Sequence, residues 1–230
     1  MPHGPTELVR PDELAPRRSD APSTDGPLEE PGVTSSDVDR SRERLLAAVR
    51  AEVIEAGIDK VSATSVARRA GLARITLYRR GGDVKRLILS AVTVEAESVI
   101  SAARCGLPEG TGRARLVELA VRLVRGVAGS EFVGAIVRGN PGLLEPYLTD
   151  HLGSSQRALL AAAGPELARG MADGSIRPAD ARVVGTVLLQ ALTPFAVAAS
   201  IAERELGEDV VDRELRRLVD GYLRPTEAPL

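Results

Sequence analysis

The chain has 230 residues, of which 43% are apolar but only 2% aromatic, and its net charge is −2. Length and apolar content allow one large domain, or a small domain beside a larger one, with a core of Ala, Val, Leu and Ile rather than rings. The single cysteine, Cys105, excludes an intrachain disulfide framework, suits a reducing cytoplasm and is read as structural.

Enzymatic and metal chemistry find little to work with. The histidines are His3, in a polar tail, and His151. With Cys105 they are too few for a His/Cys metal cluster, and no His–Ser–Asp or His–Cys arrangement can be built from them. No phosphate-cradling glycine loop is present. The expectation is a protein that is not an enzyme, with no cofactor and no metal. The first twenty residues lack the apolar run of a signal peptide. No stretch is expected to reach ~20 apolar residues without charge, which argues against a membrane span. Only Lys60 and Lys85 among the 30 basic residues are lysine. That bias, with abundant Ala and Gly, suggests a high-GC bacterial gene.

In chain order, residues 1–36 hold seven prolines and few large apolar side chains, so this acidic tail is expected to be disordered. Helical periodicity begins near Asp37, with Leu45, Leu46, Val49, Val53 and Ala56 on one face and Gly57 as a left-handed C-terminal cap. Ser62 is a good N-cap for a short helix carrying Val66, Ala67 and Ala70 inward, and Gly71 ends it. "LARITLYRR" starts a second short helix, closed by Gly81-Gly82, and Asp83 caps a long one to about Arg104. A turn-rich "GLPEGTG" leads into a helical body over 105–224. There "RARLVELAVRLVRGVAG" is apolar on most sides, and "SSQRALLAAAGPELARGMADG" is one helix or a broken pair. The segment after Arg177 is the most hydrophobic, with an interruption and kink expected at Pro194. The composition and periodicity define an all-α fold.

Charge is unevenly spread. Residues 1–37 carry −5, residues 38–90 carry +6 and residues 91–230 carry −3. A compact basic module between acidic segments points to a polyanionic partner for that module alone. Within it, "SVARRAGLARITLYRR" (Ser65–Arg80) has five arginines and no acid. Helix, short glycine turn, helix is the helix-turn-helix arrangement. Small Ala67 and Ala70 permit close helix approach, and Leu72 and Leu77 pack inward. Arg74, Ile75, Thr76, Tyr78 and Arg79 are left around the outer faces. Arginine suits guanine edges, isoleucine a thymine methyl, and hydroxyls and further arginines suit phosphates.

"RLLAAVRAEVIEAG…SATSVARRAGLARITLYRR" resembles the DNA-binding domain of the TetR family of bacterial transcriptional regulators. The matching residues are Leu45, Leu46, Ala48, Gly57, Ser62, Val66, Ala67, Ala70, Gly71, Thr76, Leu77, Tyr78 and Leu87, within about residues 40–90. The chain departs from the family pattern at Ala73 (usually a capping Ser), Gly81 (usually Phe) and Val84 (usually Lys). The resemblance implies a helix-turn-helix domain over 37–90, its linking helix continuing to about 104. It also implies a ligand-binding and dimerisation domain over 105–224. The candidate DNA-contacting set is Ser62, Thr64, Arg68, Ala73, Arg74, Ile75, Thr76, Tyr78, Arg79, Arg80 and Lys85. Arg68 and Arg69 are not distinguished, since either can face the DNA backbone.

The same resemblance implies a pocket for a small-molecule effector, with Phe132, Arg138, Leu143, Tyr147, His151, Met171, Leu188 and Phe195 as candidate lining and Asn140 and Gln190 as further polar candidates. The last two helices carry more apolar surface than one chain buries easily. In this family they form a four-helix dimer interface, here assigned to Val184, Leu188, Leu215, Leu218, Val219 and Tyr222. The expected function is a homodimeric regulator that binds a palindromic double-stranded operator and is released by its effector, repression being the family's habit. The alternative is a helical binding module of the same fold that has lost sequence-specific DNA recognition.

Overall fold

Nine helices and no strand make up the described part of the computed structural model, residues 35–143 and 152–225. They are α1 (Ser35–Ala56), α2 (Ala63–Ala70), α3 (Arg74–Gly81), α4 (Val84–Arg104), α5 (Gly112–Ala128), α6 (Glu131–Gly139), α7 (Ser154–Ala172), α8 (Ala181–Leu206) and α9 (Glu208–Leu223). Single 3-10 turns stand at Ile58–Lys60 and Pro141–Leu143. The proline-rich tail, Pro146, Tyr147 and His151 lie outside the described residues.

Local chemistry sets most helix starts. Ser62, Asp83, Thr111, Ser130 and Asp180 each accept a hydrogen bond from a first-turn N–H, filling one of the donors a helix leaves orphaned. One glycine expectation needs revision. Gly57 has positive φ but ψ 149, so it is not a left-handed cap but an extended hinge into the 3-10 turn at Ile58. The prolines also interrupt less than expected. α7 runs through Pro165 and α8 through Pro194 as unbroken helices. Each proline costs one backbone bond. Immediately before Pro194, Thr193 Oγ1 donates to the Leu189 carbonyl at 2.6 Å.

Two apolar clusters organise the chain. The first is built on Leu45, Val49, Val53, Val66, Leu77 and Leu87, and it takes Phe132, Ala135 and Ile136 of α6 together with Leu143. Ala56, expected on the inner face of α1, is exposed, and Ala48 is buried instead. α6 packs on α1 and on the 3-10 turn, where Gly139 comes so close to Ile58 that a Cβ would lie 2.6 Å from its Cγ2. The second cluster centres on α5, with Leu116, Val121, Leu167, Val184, Leu188, Leu215 and Val219. α5 touches α4, α7, α8 and α9. α6 thus packs with the N-terminal core although it follows residue 105 in the chain.

α8 also corrects the membrane expectation. Val183–Ala202 contains no charged residue, and α8 is long and apolar enough to cross a bilayer by length and composition. Only 22% of its apolar window is buried within the protomer.

Candidate nucleic-acid interface

The turn between α2 and α3 is set by Gly71, in the left-handed region at φ 63, ψ 38, where glycine carries no Cβ penalty. Its N–H donates to the Ala67 and Arg68 carbonyls, and Leu72 N–H donates to Ala67 O at 2.9 Å. Ala67, Ala70 and Leu77 are buried, and Leu72 is half-buried against the same core. α3 is thereby held by its inner side.

The outer side of α3 is open. Ile75 is 66% exposed and Tyr78 45% exposed, with Arg74 and Arg79 exposed beside them and Thr76 half-buried. Arg74 donates to Tyr78 Oη at 3.2 Å, its guanidinium 5.6 Å from the ring centre. The pair forms one preorganised polar unit on the face. Ala73 supplies no side-chain cap. The first-turn N–H groups of Arg74 and Ile75 have no acceptor among the described residues, so they point outward as donors.

The structure separates the arginines that the sequence left together. Arg69 is bound within the module: Nε donates to Glu52 at 2.6 Å and its two terminal nitrogens to Glu55 at 2.9 and 2.5 Å. Hydrogen bonds from Glu55 and then Glu52 raise its pKa further, so it is a permanent cation tying α2 to α1. Arg80 is half-buried and donates to the Asp37 carbonyl at 3.0 Å and to Ser41 Oγ. It fastens α3 to the first turn of α1 and does not stand on the open face. Arg68, Arg79 and Lys85 are exposed and have no hydrogen-bond or ion-pair partner among the described residues. Thr64 is exposed on α2, while the Ser62 hydroxyl is engaged in a capping box with Ser65. The absent phenylalanine is explained too. Gly81 is buried, and a Cβ there would lie 2.7, 2.9 and 3.0 Å from the end of Leu87. Leu87 fills the space under α3, and Val84, half-buried, packs on the same core.

The expected pocket residues scatter. Phe132 and Leu143 belong to the N-terminal core. Arg138, Asn140 and Gln190 are exposed, Phe195 is 41% exposed, and Met171 packs at the margin of the second cluster. Tyr147 and His151 lie outside the described residues. Only Leu188 lines a cavity, one of about 90 Å³ between α5, α7 and α8. A second cavity of about 210 Å³ lies between α4, α6, α7 and α8, sharing Val127, Leu159, Thr193 and Ala196 with the first. Its Glu95, Ser155 and Gln156 were missed in the sequence. They sit on otherwise ordinary helix faces, and only the meeting of α4 and α7 brings them together.

The residues expected at a dimer interface divide between buried and open positions. Val184, Leu188, Leu215 and Val219 are buried in the protomer's own core. Tyr222 is half-buried under Arg177, 5.0 Å from its ring centre. The open apolar face is instead Val183, Val187, Phe195 and Ile201 of α8, with Leu218 of α9, the one residue of the expected set that is exposed.

A capped α2, a glycine turn and an open basic α3 seated on an all-helical body define a helix-turn-helix DNA-binding protein. No protein-family model matches the chain. Similarity to known proteins is nonetheless extensive. A helix-turn-helix transcriptional regulator of Mycobacterium tuberculosis, itself uncharacterised, is 29% identical over 180 residues, 78% of this chain and 93% of the relative. The transcriptional regulator AqdR of Rhodococcus erythropolis is 41% identical over 61 residues, 26% of this chain and 30% of AqdR. Among solved structures, the TetR-family repressor QsdR of R. erythropolis superposes with a TM-score of 0.60 at 20% identity, covering 83% of this chain and 99% of QsdR. RolR in complex with resorcinol gives 0.62 at 18% identity, covering 84% and 92%. The fold is thus the one seen in these TetR-family repressors, and the sequence is similar to helix-turn-helix transcriptional regulators.

Proposed function

We propose that this chain is a homodimeric, sequence-specific DNA-binding repressor that lays α3 of each copy into successive major grooves of a palindromic operator. The observation that carries the reading is the open face of α3. Arg74, Ile75, Tyr78 and Arg79 stand outward with no acid among them, while Arg69 and Arg80, which would confuse the count, are tied inward. Arg74 is suited to a guanine edge, Ile75 to a thymine methyl, and Tyr78, Arg79, Arg68 and Lys85 to phosphates. One reading helix covers a half-site, and two-fold symmetry supplies the palindrome. The apolar face of α8 and α9 is suited to join the copies.

The adjoining cavities below α4 are the effector site in this reading. An effector acts by binding the free conformation better than the DNA-bound one. Fluorescence anisotropy against duplexes tiling the DNA upstream of the gene, across salt, tests the proposal. A tight site that survives nonspecific competitor and weakens steeply with salt is expected. Sequence-blind binding to every tile, and to selected random duplexes, refutes it.

A further inference from the structure

The 210 Å³ cavity has a definite chemistry. Its wall is mainly aliphatic, with Val92, Val99, Val133, Val137 and Leu159 among its residues. No lysine, arginine or histidine is among its described lining residues. Glu95 is the ionisable group among them. Burial raises its pKa, but hydrogen bonds from Arg50 at 3.0 Å and Ser130 at 2.5 Å outweigh burial and leave it below the usual carboxylate range. Glu95 therefore stays ionised, and Arg50 balances its charge. Ser155 is 95% buried by its 5% exposure, lines the same cavity, and makes no hydrogen bond of its own. Its hydroxyl opens onto the cavity, where a polar ligand atom would give it a hydrogen-bond partner. Gln156 beside it is already engaged, its Oε1 accepting from Gly153 N–H at 2.9 Å.

We propose that this cavity receives a small, uncharged, mainly aliphatic molecule bearing one hydroxyl-type group, and that it excludes anions. The hydroxyl is held by Ser155 at the Glu95 end, and the chain runs along Val99 and Leu159 toward the 90 Å³ cavity. Size is consistent. A 150 Å³ apolar cavity accommodates benzene, so 210 Å³ suits roughly eight to ten non-hydrogen atoms. A carboxylate of the same length would add a buried negative charge beside Glu95, whose Arg50 partner is already engaged, with no further cation among the described lining residues to offset it. The same carboxylate holds Arg50 of α1, so the occupant sits against the residue that joins α4 to the DNA-reading module.

The inference rests on reading this body as the effector module, and calorimetry without DNA tests it separately. The probes are 1-octanol and octanoate at neutral pH, titrated into the full chain. Octanol is expected to bind at least tenfold more tightly than octanoate. Leu159→Trp, which fills the junction of the two cavities, is expected to abolish octanol binding in a protein that still melts cooperatively. Glu95→Gln is expected to remove most of the discrimination by admitting octanoate, and Ser155→Ala to weaken octanol alone. Equal affinity for the two probes, binding of neither, or octanol binding untouched by Leu159→Trp overturns the assignment. Discrimination unchanged in Glu95→Gln overturns the role of Glu95. Octanol binding by a chain that reads no DNA sequence would refute the repressor reading and leave the cavity assignment standing.

Discussion

Restoring the phenylalanine that TetR relatives carry at position 81 should destabilise this protein. Resemblance alone would suggest the opposite, since an aromatic ring under the recognition helix ought to add core. Here the space is taken. Carbon atoms pack at about 3.5–4.0 Å, yet a Cβ on Gly81 would lie 2.7, 2.9 and 3.0 Å from three atoms of Leu87. Leu87 is 1% exposed, so it has no open direction in which to retreat. Replacing a helical glycine gains up to about 1 kcal/mol of propensity. Overpacking by a Cβ and a ring costs typically 1–3 kcal/mol and sometimes more; Phe, a middling helix former, recovers about 0.5 kcal/mol of that, so Gly81→Phe should lose about 0.5–2.5 kcal/mol net. Leu87→Ala alone should cost about 2–5 kcal/mol through its cavity. The double substitution exchanges one large side chain for another across the same space and should be more stable than the sum of the singles by at least about 1 kcal/mol. Urea unfolding followed by circular dichroism measures all three. A Gly81→Phe protein as stable as the parent, or a double variant that is merely additive, would show that the two positions do not compete for one volume.

Arg74→Ala and Arg69→Ala should separate reading from folding. The first should cost about 1–3 kcal/mol of operator affinity and relax preference at one base pair, with the unfolding midpoint unchanged. The second should lower the urea midpoint by stranding Glu52, which is 8% exposed, and leave sequence preference intact among the molecules that remain folded. Val187→Glu, on the open face of α8, should convert the dimer to monomer in sedimentation and weaken operator binding, whereas a charge on a non-interfacial surface should not. Acid sensitivity should depend on Glu166. Hydrogen bonds from Arg115 hold its pKa below the usual value, so its stabilising contribution is complete above about pH 4.5 and is lost as pH falls through the lowered value. Glu166→Gln should therefore narrow the stability gap between pH 7 and pH 3, as read by thermal melts.

The reading module was legible because each of its elements has a local cause. Ser62, Gly71 and Asp83 cap or turn by their own chemistry, and Leu45, Val49 and Val53 recur at helical spacing, so position in the sequence nearly determines position in space. The effector body was less legible for a physical reason. Val183 and Val184 are both valines on one helix, yet one is 56% exposed and the other fully buried. With an apolar residue at most positions of α8, periodicity does not say which side meets α5 and which meets solvent. The membrane-length run was overlooked for the same cause, its Gly, Thr, Gln and Pro masking twenty uncharged residues. Pocket residues failed most. Polarity was sought in Arg138, Asn140 and Gln190, which are exposed, while Glu95 and Ser155 became pocket residues only through packing that joins α4 to α7.

Ion pairing also changes what the basic module should do in salt. Residues 38–90 contain twelve basic side chains, and a count from sequence would bring all of them to DNA. The structure engages half of them. Arg69 is held by Glu52 and Glu55, Arg50 by Glu95, Arg80 by the first turn of α1, Arg44 by the Gly71 carbonyl, Arg40 by Asp37 and Arg42 by Ser90. With Arg74 assigned to a base, and Lys60 and Arg86 outside the candidate DNA-contacting set, Arg68, Arg79 and Lys85 are the assigned phosphate partners, about three per protomer and six in the proposed dimer. Each neutralised phosphate contributes about 0.9 to the slope of log affinity against log salt, so the slope should be near −5. Twelve cations from each copy would give a slope near −20. Operator affinity measured from about 50 to 300 mM salt distinguishes these values readily. A slope steeper than about −10 would mean that the internal ion pairs open on DNA, and that the partition between folding and reading arginines seen in the free protein does not survive binding.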